Sequence, residues 1–251
     1  MNLHTKPADE DTTGHRAKSP GCLRGASLFS NLSDEEIAHF QDTAQARSYK
    51  KGKILYVEDE PAEFFYVICG GWIKLFHTMP EGDEVIVDML TTGHMVGESA
   101  IFELGRHTSS AQVIEDVQLL SISSNLLKER IRLSPPLALS MISSMFRHHR
   151  RHYGEIALNA MQNAPERIGS FLLRLCPAGK KKGVVFHLPY DKALIAYTLG
   201  MKGATFSRAL NILRQKTGMR INGSCVEIDS VEQLAKFVYG SLAARYVPEK
   251  L

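Results

Sequence analysis

The feature that most limits what this chain can fold into is a change of texture at Ser123. Before it, residues 47–123 carry short β-branched and aromatic runs, "KILYVE", "EFFYVICGGWIKLF", "DEVIVDML" and "VQLLSIS", broken at Gly52, Gly70–Gly71, Pro80–Gly82, Gly93 and Gly97. Short strands parted by glycine turns predict an antiparallel sandwich or β-roll. After it, "SSNLLKERIRL" reads as helix. Pro135 and Pro136 then open "LALSMISSMFRHHRRHYGEIALNAMQ", which has no internal proline and a single glycine, Gly154. A sheet segment followed by helices defines an α+β chain. Upstream, "SLFSNLSDEEIAHF" predicts a short helix capped by Ser33, with Asp34, Glu35 and Glu36 in the first turn, where the helix dipole favours anions.

Four segments are expected: a disordered lead-in over 1–23, a β-roll over 24–133, a long helix over 134–163 and a C-terminal domain over 164–251. In the long helix Ile142, His149 and Ile156 repeat every seven residues, and Met145, His152 and Asn159 form a second row. Such a seam suits a parallel helix pair, so Ile142, Met145, His149 and Ile156 are candidate dimer contacts. Packing against the chain's own β-roll is the alternative.

Charge divides the same way. Residues 164–251 carry a net +8 and residues 1–163 a net −5, within an overall +3. An acidic front and a basic back fit a sensor joined to a polyanion-binding domain. No run reaches the length of a membrane span, and the N-terminus has no apolar core of a secretory signal. Cys22, Cys69, Cys176 and Cys225 form no Cys-x-x-Cys pair and no zinc spacing, which predicts reduced thiols in a cytoplasmic protein and no metal site.

"DKALIAYTLGMKGATFSRALNILRQKTGM", residues 191–219, is a helix-turn-helix pattern. Ala196 is small enough for close helix crossing, Gly200 permits the positive φ of a tight turn, and Leu199, Phe206 and Leu210 supply an apolar wedge. The second helix, starting near Gly203–Ala204, would expose Thr205, Ser207, Arg208 and Arg214. Its N-terminal end would enter the major groove of duplex DNA. Arg208 has the fork to pair with guanine O6 and N7. Lys202 and Lys216 would hold the phosphate backbone. "MRINGSCVEID" predicts a hairpin wing with an Asn-Gly turn.

Taken together, "LFSNLSDEEI", "KGKILYVEDEPAEFFYVICGGWIKLF", "GHMVGESAIF", the helix after "LSPP" and "LGMKGATFSRAL" resemble the CRP/FNR superfamily of bacterial transcription regulators over residues 24–240. The resemblance implies an N-terminal cyclic-nucleotide-binding-like jelly roll, a dimerisation helix and a C-terminal winged helix-turn-helix. It also implies a homodimer on a palindromic operator, a small-molecule effector, RNA polymerase as partner and no enzymatic activity. The part "LPYDKALIAYTLGMKGATFSRAL" is most similar to the Dnr-type branch, which responds to nitric oxide. That branch has a glutamate before its "TFSR" run, where this chain has Ala204.

In cyclic-nucleotide members a Gly-Glu pair holds ribose and phosphate, matched here by Gly97–Glu98, beside Ser99. An arginine then grips the cyclic phosphate, and that place falls on Thr108 or Ser109; Arg106 comes too early. The purine-facing place on the long helix falls on His152 and Tyr153. With both ends of the pocket changed, the expected effector is not cyclic AMP. The iron–sulfur branch needs an N-terminal cysteine cluster, which this chain lacks, so no iron–sulfur cluster is expected. His148, His149 and His152 share a helical face; they fit either a solvated polar stretch or haem ligation. A cyclic-nucleotide-responsive activator and a signalling adaptor that binds protein through its basic domain are the competing readings.

Overall fold

The computed structural model describes residues 20–26, 28–29, 32–102, 105–143, 146, 162–176, 181–188 and 192–240. These divide into two compact units, separated between Phe146 and Arg147.

The first unit begins earlier than the sequence suggests. Residues Pro20–Gly25 form a short helix, α1, and Leu23 is fully buried, so the ordered domain starts inside the expected lead-in. Helix α2, Asp34–Thr43, has Ser33 as its cap. The Ser33 hydroxyl accepts from the Glu36 amide at 3.2 Å while the Glu36 carboxylate accepts from the Ser33 amide at 3.3 Å, a reciprocal capping box.

Six antiparallel strands follow: β1 Gln45–Tyr49, β2 Ile54–Tyr56, β3 Phe64–Thr78, β4 Glu84–Thr91, β5 Met95–Val96 and β6 Ser110–Ser123. Their order is β1-β6-β3-β4, with β2 also on β6 and β5 on β3. The two long central strands are buried on both faces, so adjacent residues serve different cores. Val67 and Leu120 join Leu23, Phe29, Phe40, Phe65, Ile122 and Leu127 on one side. Ile68 and Leu119 join Tyr56, Ile73, Leu90, Val96 and Val113 on the other. Gly70–Gly71 is not a strand break. β3 runs straight through it, and the register slips there, with Ile68 opposite Leu119 and Gly70 opposite Gln118. Two residues on β3 thus span one step of β6, a β-bulge at Cys69.

The expectation of four reduced thiols is corrected: Cys22 and Cys69 are joined as a disulfide, while Cys176 and Cys225 are free. Sequence spacing hides the pair, because the fold brings α1 onto the bulge of β3 across a separation of 47 residues.

Helix α3, Ser124–Leu133, leads to a helix over residues 135–143, here α4. Leu137 and Met141 of α4 are buried in the first core, while Leu139, Ile142 and Phe146 are 65%, 50% and 68% exposed. At spacings of three and four they form one apolar stripe. The expected dimer contact Ile142 lies on it; Met145, His149 and Ile156 lie outside the described residues.

The start of α4 is tied to α2. Ser134 donates its hydroxyl to the Glu36 carboxylate at 2.7 Å and accepts from the Leu137 amide at 3.3 Å. The Ser134 bond, foremost, holds the Glu36 carboxyl below its ordinary value of 4.5. A depressed acid contributes stability above its unfolded value and loses it as pH falls through the folded value. Thermal unfolding followed down from neutral pH is therefore expected to show a loss of Tm below pH 4.5 that Glu36→Gln lessens. Parallel curves for the two proteins would deny Glu36 this role.

The second unit holds α5 Ala164–Leu175, β7 Lys182–His187, α6 Lys192–Thr198, α7 Gly203–Thr217, β8 Arg220–Asn222, β9 Cys225–Ser230 and α8 Val231–Tyr239, with sheet order β7-β9-β8. Asn163 caps α5 in a second capping box. Gly169 lets α8 come close: a β-carbon there would lie 2.4 Å from Val238 Cγ2. The hairpin turn sits one residue later than expected. Asn222 pairs with Cys225 across the ladder, and the loop is Gly223–Ser224, with Gly223 at φ +61°. A glycine with positive φ in first position meets the demand of a two-residue hairpin turn.

Candidate nucleic-acid interface and effector pocket

The pair α6–α7 is built as its composition requires. The amides of Leu199, Gly200 and Met201 donate to the carbonyls of Ile195, Tyr197 and Ala196, closing the turn around Gly200 at φ +64°. Phe206, Ala209, Leu210, Leu213 and Thr217 bury one face of α7. Ile195 and Ala196 are buried on α6, and Leu199 is half-buried beside them.

The opposite face of α7 is exposed. Of the candidate DNA-contacting residues, Lys202, Ser207, Arg208, Arg214 and Lys216 are exposed and Thr205 is half-buried. Helical spacing places Ala204, Arg208, Asn211 and Gln215 along the centre of the exposed face, with Ser207 and Arg214 beside it and Thr205 and Lys216 at its margin. Asn211 and Gln215 were not among the expected contacts, although steps of three, four and seven from Ala204 point to them. With Arg214 and Met219 they line a shallow hollow of about 310 Å³. The segment Gly203–Thr217 contains no acidic residue. The Arg208 Nε donates to the Ala204 carbonyl at 3.3 Å, laying the side chain along the helix, and among the described residues no carboxylate pairs with it.

The wing behaves differently. Arg220 is held by Glu227 at 2.9 Å and by Asp229 at 3.0 Å. Its charge is already matched within the wing, unlike those exposed on α7.

In the β-roll, Gly97 has φ +84°, and a β-carbon on it would lie 3.0 Å from His107 Cε1 and 3.5 Å from Tyr56 Cε1. The His107 ring stacks on Tyr56 with centroids 3.5 Å apart. Within "GRHTSS", then, His107 turns inward along with Ser109 and Ser110; it is only 5% exposed, with its Nδ1 unpartnered among the described residues. Burial lowers its pKa and keeps the imidazole neutral. Burial likewise pushes the Glu98 carboxyl up, helped by Asp88, and burial foremost, then Glu98, raises the Tyr56 hydroxyl. Burial thus shifts both Glu98 and His107 toward their neutral forms.

The expected pocket residues separate. Gly97 and Glu98 belong to this corner and Ser109 is buried nearby in sequence, whereas Thr108 and Ser99 are exposed. Arg106 is exposed and donates to the Asp59 carbonyl. His149, His152 and Tyr153 lie outside the described residues. His107 and Tyr56 were missed because an isolated histidine or tyrosine at a strand end has no periodic signal. Among the described residues of the roll, the one buried lysine or arginine, Lys74, is occupied by Glu84 and lies over the Phe76 ring. No group of three or more His, Cys, Asp or Glu that could hold a metal occurs among the described residues, and none of their helices is long and apolar enough to cross a membrane.

The comparisons agree with this architecture. Residues 46–132 match the cyclic nucleotide-binding domain family, and residues 166–237 match the Crp-like helix-turn-helix domain family. A CRP-like cAMP-activated global transcriptional regulator from Mycobacterium tuberculosis is 27% identical over 85% of this chain and 97% of its own. The crystal structure of a candidate cyclic nucleotide binding protein from Ruegeria pomeroyi is 28% identical, covers 88% of this chain and 97% of its own, and has a TM-score of 0.72. The crystal structure of DNR from Pseudomonas aeruginosa is 26% identical, covers 86% and 96%, and has a TM-score of 0.50. With a cyclic nucleotide-binding roll in front of a Crp-like helix-turn-helix in one polypeptide, this chain belongs to the CRP/FNR superfamily of transcription regulators.

Proposed function

We propose that this chain is an effector-gated, homodimeric, sequence-specific DNA-binding regulator whose effector is not a cyclic nucleotide. The observation that carries the DNA-binding half is the acid-free exposed face of α7, set behind a tight Gly200 turn. Arg208 and Asn211 would read base edges: Arg fits guanine O6 and N7, Asn fits adenine N6 and N7. Lys202, Arg214 and Lys216 would contact phosphates, fixing register without reading sequence.

Dimerisation would run through the exposed apolar residues Leu139 and Ile142 of α4, together with the exposed Phe146. Two stripes brought face to face would remove this surface from water. Ile142→Asp is expected to weaken self-association at least tenfold, as expected for a charge placed in an apolar interface. Sedimentation equilibrium measures it, and an unchanged dimer constant would move the interface elsewhere.

The effector reading rests on the corner at Gly97. A cyclic phosphate needs a charge-assisted partner, about twice as strong as a neutral one. Arg106 is committed to the Asp59 carbonyl, Lys74 to Glu84, and His107 is held neutral. Millimolar cyclic AMP is therefore expected to leave Tm unchanged, since a ligand that does not bind the folded state cannot stabilise it. A concentration-dependent rise in Tm would favour a cyclic-nucleotide-responsive activator, the activity named for the Mycobacterium tuberculosis relative. The Dnr-type reading, with haem held through His148, His149 or His152, rests on residues outside those described; titration with haem and the absence of a Soret band would remove it. Selection from random duplexes is expected to return an inverted repeat with half-sites about 34–36 Å apart. Failure to enrich any sequence, at any salt concentration, would leave the protein-binding adaptor.

A further inference from the structure

We infer that Cys22 and Cys69 form a reversible thiol–disulfide site, read by small-molecule disulfides, that sets how firmly the base of α4 is seated. The inference rests on the DNA-binding reading in one respect only: a protein that works on bacterial duplex DNA lives where thiols are kept reduced. Disulfides formed in that environment are in the main transient or redox-sensing.

Three features of the fold place the pair. Cys69 is the extra residue of the β3 bulge, between Ile68, opposite Leu119, and Gly70, opposite Gln118. Bulges re-aim a side chain out of the pleat. The backbone of Ile68 is pinned from the other side, accepting from the Gly93 amide at 2.9 Å and donating to the His94 carbonyl at 2.9 Å. The cysteine therefore sits on a rigid strand. Its partner sits on a six-residue helix, α1, whose Gly25 carbonyl comes against the turn at Gly93. Both cysteines are only half-buried, so an external disulfide can reach them. Cys176 and Cys225 have no such neighbour among the described residues.

The consequence runs through the core. Cys22 and Cys69 pack against the same cluster that buries Leu23, Phe29 and Phe65, and that cluster also buries Leu137 and Met141 of α4. Closing the bond fastens Leu23 into the wall on which α4 rests. Opening it leaves α1 held by packing and by the ion pair of Arg24 with Asp34 of α2. α4 carries the exposed Leu139 and Ile142 proposed for dimerisation, so the redox state would act on the element that joins the two copies.

The chemistry balances without a metal. One cysteine, as thiolate, attacks a disulfide such as oxidised glutathione, forming a mixed disulfide and releasing one glutathione thiolate. The second cysteine, as thiolate, attacks the mixed disulfide, closing Cys22–Cys69 and releasing the second glutathione. Two protein thiols are oxidised, one glutathione disulfide is reduced, and the two protons lost by the cysteines are taken up by the glutathione thiolates.

The test uses the full chain equilibrated in buffers of graded reduced-to-oxidised glutathione ratio, with alkylation and intact-mass readout, followed by hydrogen exchange. We expect two thiols to be protected from alkylation, assigned to Cys22 and Cys69, with half-conversion inside the titrated range. Amide exchange over residues 135–143 should be at least tenfold slower in the oxidised form. Cys22→Ser and Cys69→Ser should each exchange at the rate of the reduced protein in every buffer, while Cys176→Ser and Cys225→Ser should behave as the parent. Cys22→Ser alters a half-buried helix position, so it keeps the test open if Cys69→Ser misfolds. Four alkylatable thiols at every ratio, a bond that never opens, a covalent dimer, or equal exchange in both states would each overturn the inference. None of these readouts involves DNA, so their failure is separate from failure of the DNA-binding reading.

Discussion

Gly71→Ala is expected to destroy most of the stability of the β-roll. A β-carbon at Gly71 would lie 2.2 Å from the Asp116 carbonyl oxygen and 2.8 Å from Val117 Cα, and the residue has φ +88°. Both obstacles are backbone atoms of β6, which pairs with β3 along most of its length. No rotamer change relieves such a clash; the strands must separate or β3 must change register. Strained φ alone costs on the order of 1–3 kcal/mol. With the steric conflict, a total of about 4 kcal/mol or more is expected, in the exceptional range for one substitution. Gly70→Ala is the control. Its φ is ordinary and nothing lies within 4 Å of the added carbon. It should stay within about 1 kcal/mol of the parent, since the residue only loses unfolded-chain freedom. Urea midpoints for the two variants decide the matter. Similar midpoints would mean that β3 and β6 do not approach as described.

That pair of glycines shows what the sequence could and could not convey. "ICGGWI" reads as a break because two glycines in succession usually end a strand, and nothing local tells that the opposing backbone needs the space. The same holds for the bulge at Cys69 and hence for the disulfide, which exists only once α1 is laid over β3. By contrast, the alternation of textures at Ser123, the Ser33 cap, the Gly200 turn and the buried Phe206 and Leu210 are all local or periodic signals, and the fold keeps each of them. The candidate site divides on the same line. The exposed face of α7 follows from a period of 3.6 residues, and extending that period from Arg208 reaches Asn211 and Gln215. The roll corner does not, because Tyr56 and His107 meet across 51 residues of chain, counted from their numbers. Gapless matching put Thr108 or Ser109 in the arginine's place; the fold buries Ser109 and leaves Thr108 exposed, and it turns His107 inward as well.

Affinity for duplex DNA is expected to fall about a thousandfold between 50 and 200 mM salt. Log affinity declines with log salt at about −0.9 per neutralised phosphate, and six or more contacts give losses on this scale. Lys202, Arg214 and Lys216 of two subunits supply about six such contacts on the reading proposed for α7. Two substitutions separate this account from a diffuse charge effect. Lys216→Gln removes one contact per subunit, so the slope should become shallower by about 2, with all sequences weakened alike. Arg220→Ala also removes a positive charge from the same domain, but that charge is engaged by Glu227 at 2.9 Å and Asp229 at 3.0 Å. It should leave the slope unaltered. Arg208→Ala should act in a third way, costing about 1–3 kcal/mol of discrimination at one base pair of each half-site while the fold stays intact. Fluorescence anisotropy across a salt series, with a selected duplex and a scrambled one, reads all three. If Lys216→Gln and Arg220→Ala flatten the slope equally, net charge rather than the α7 surface governs binding. If Arg208→Ala weakens both duplexes by the same factor, that guanidinium holds backbone and does not read sequence.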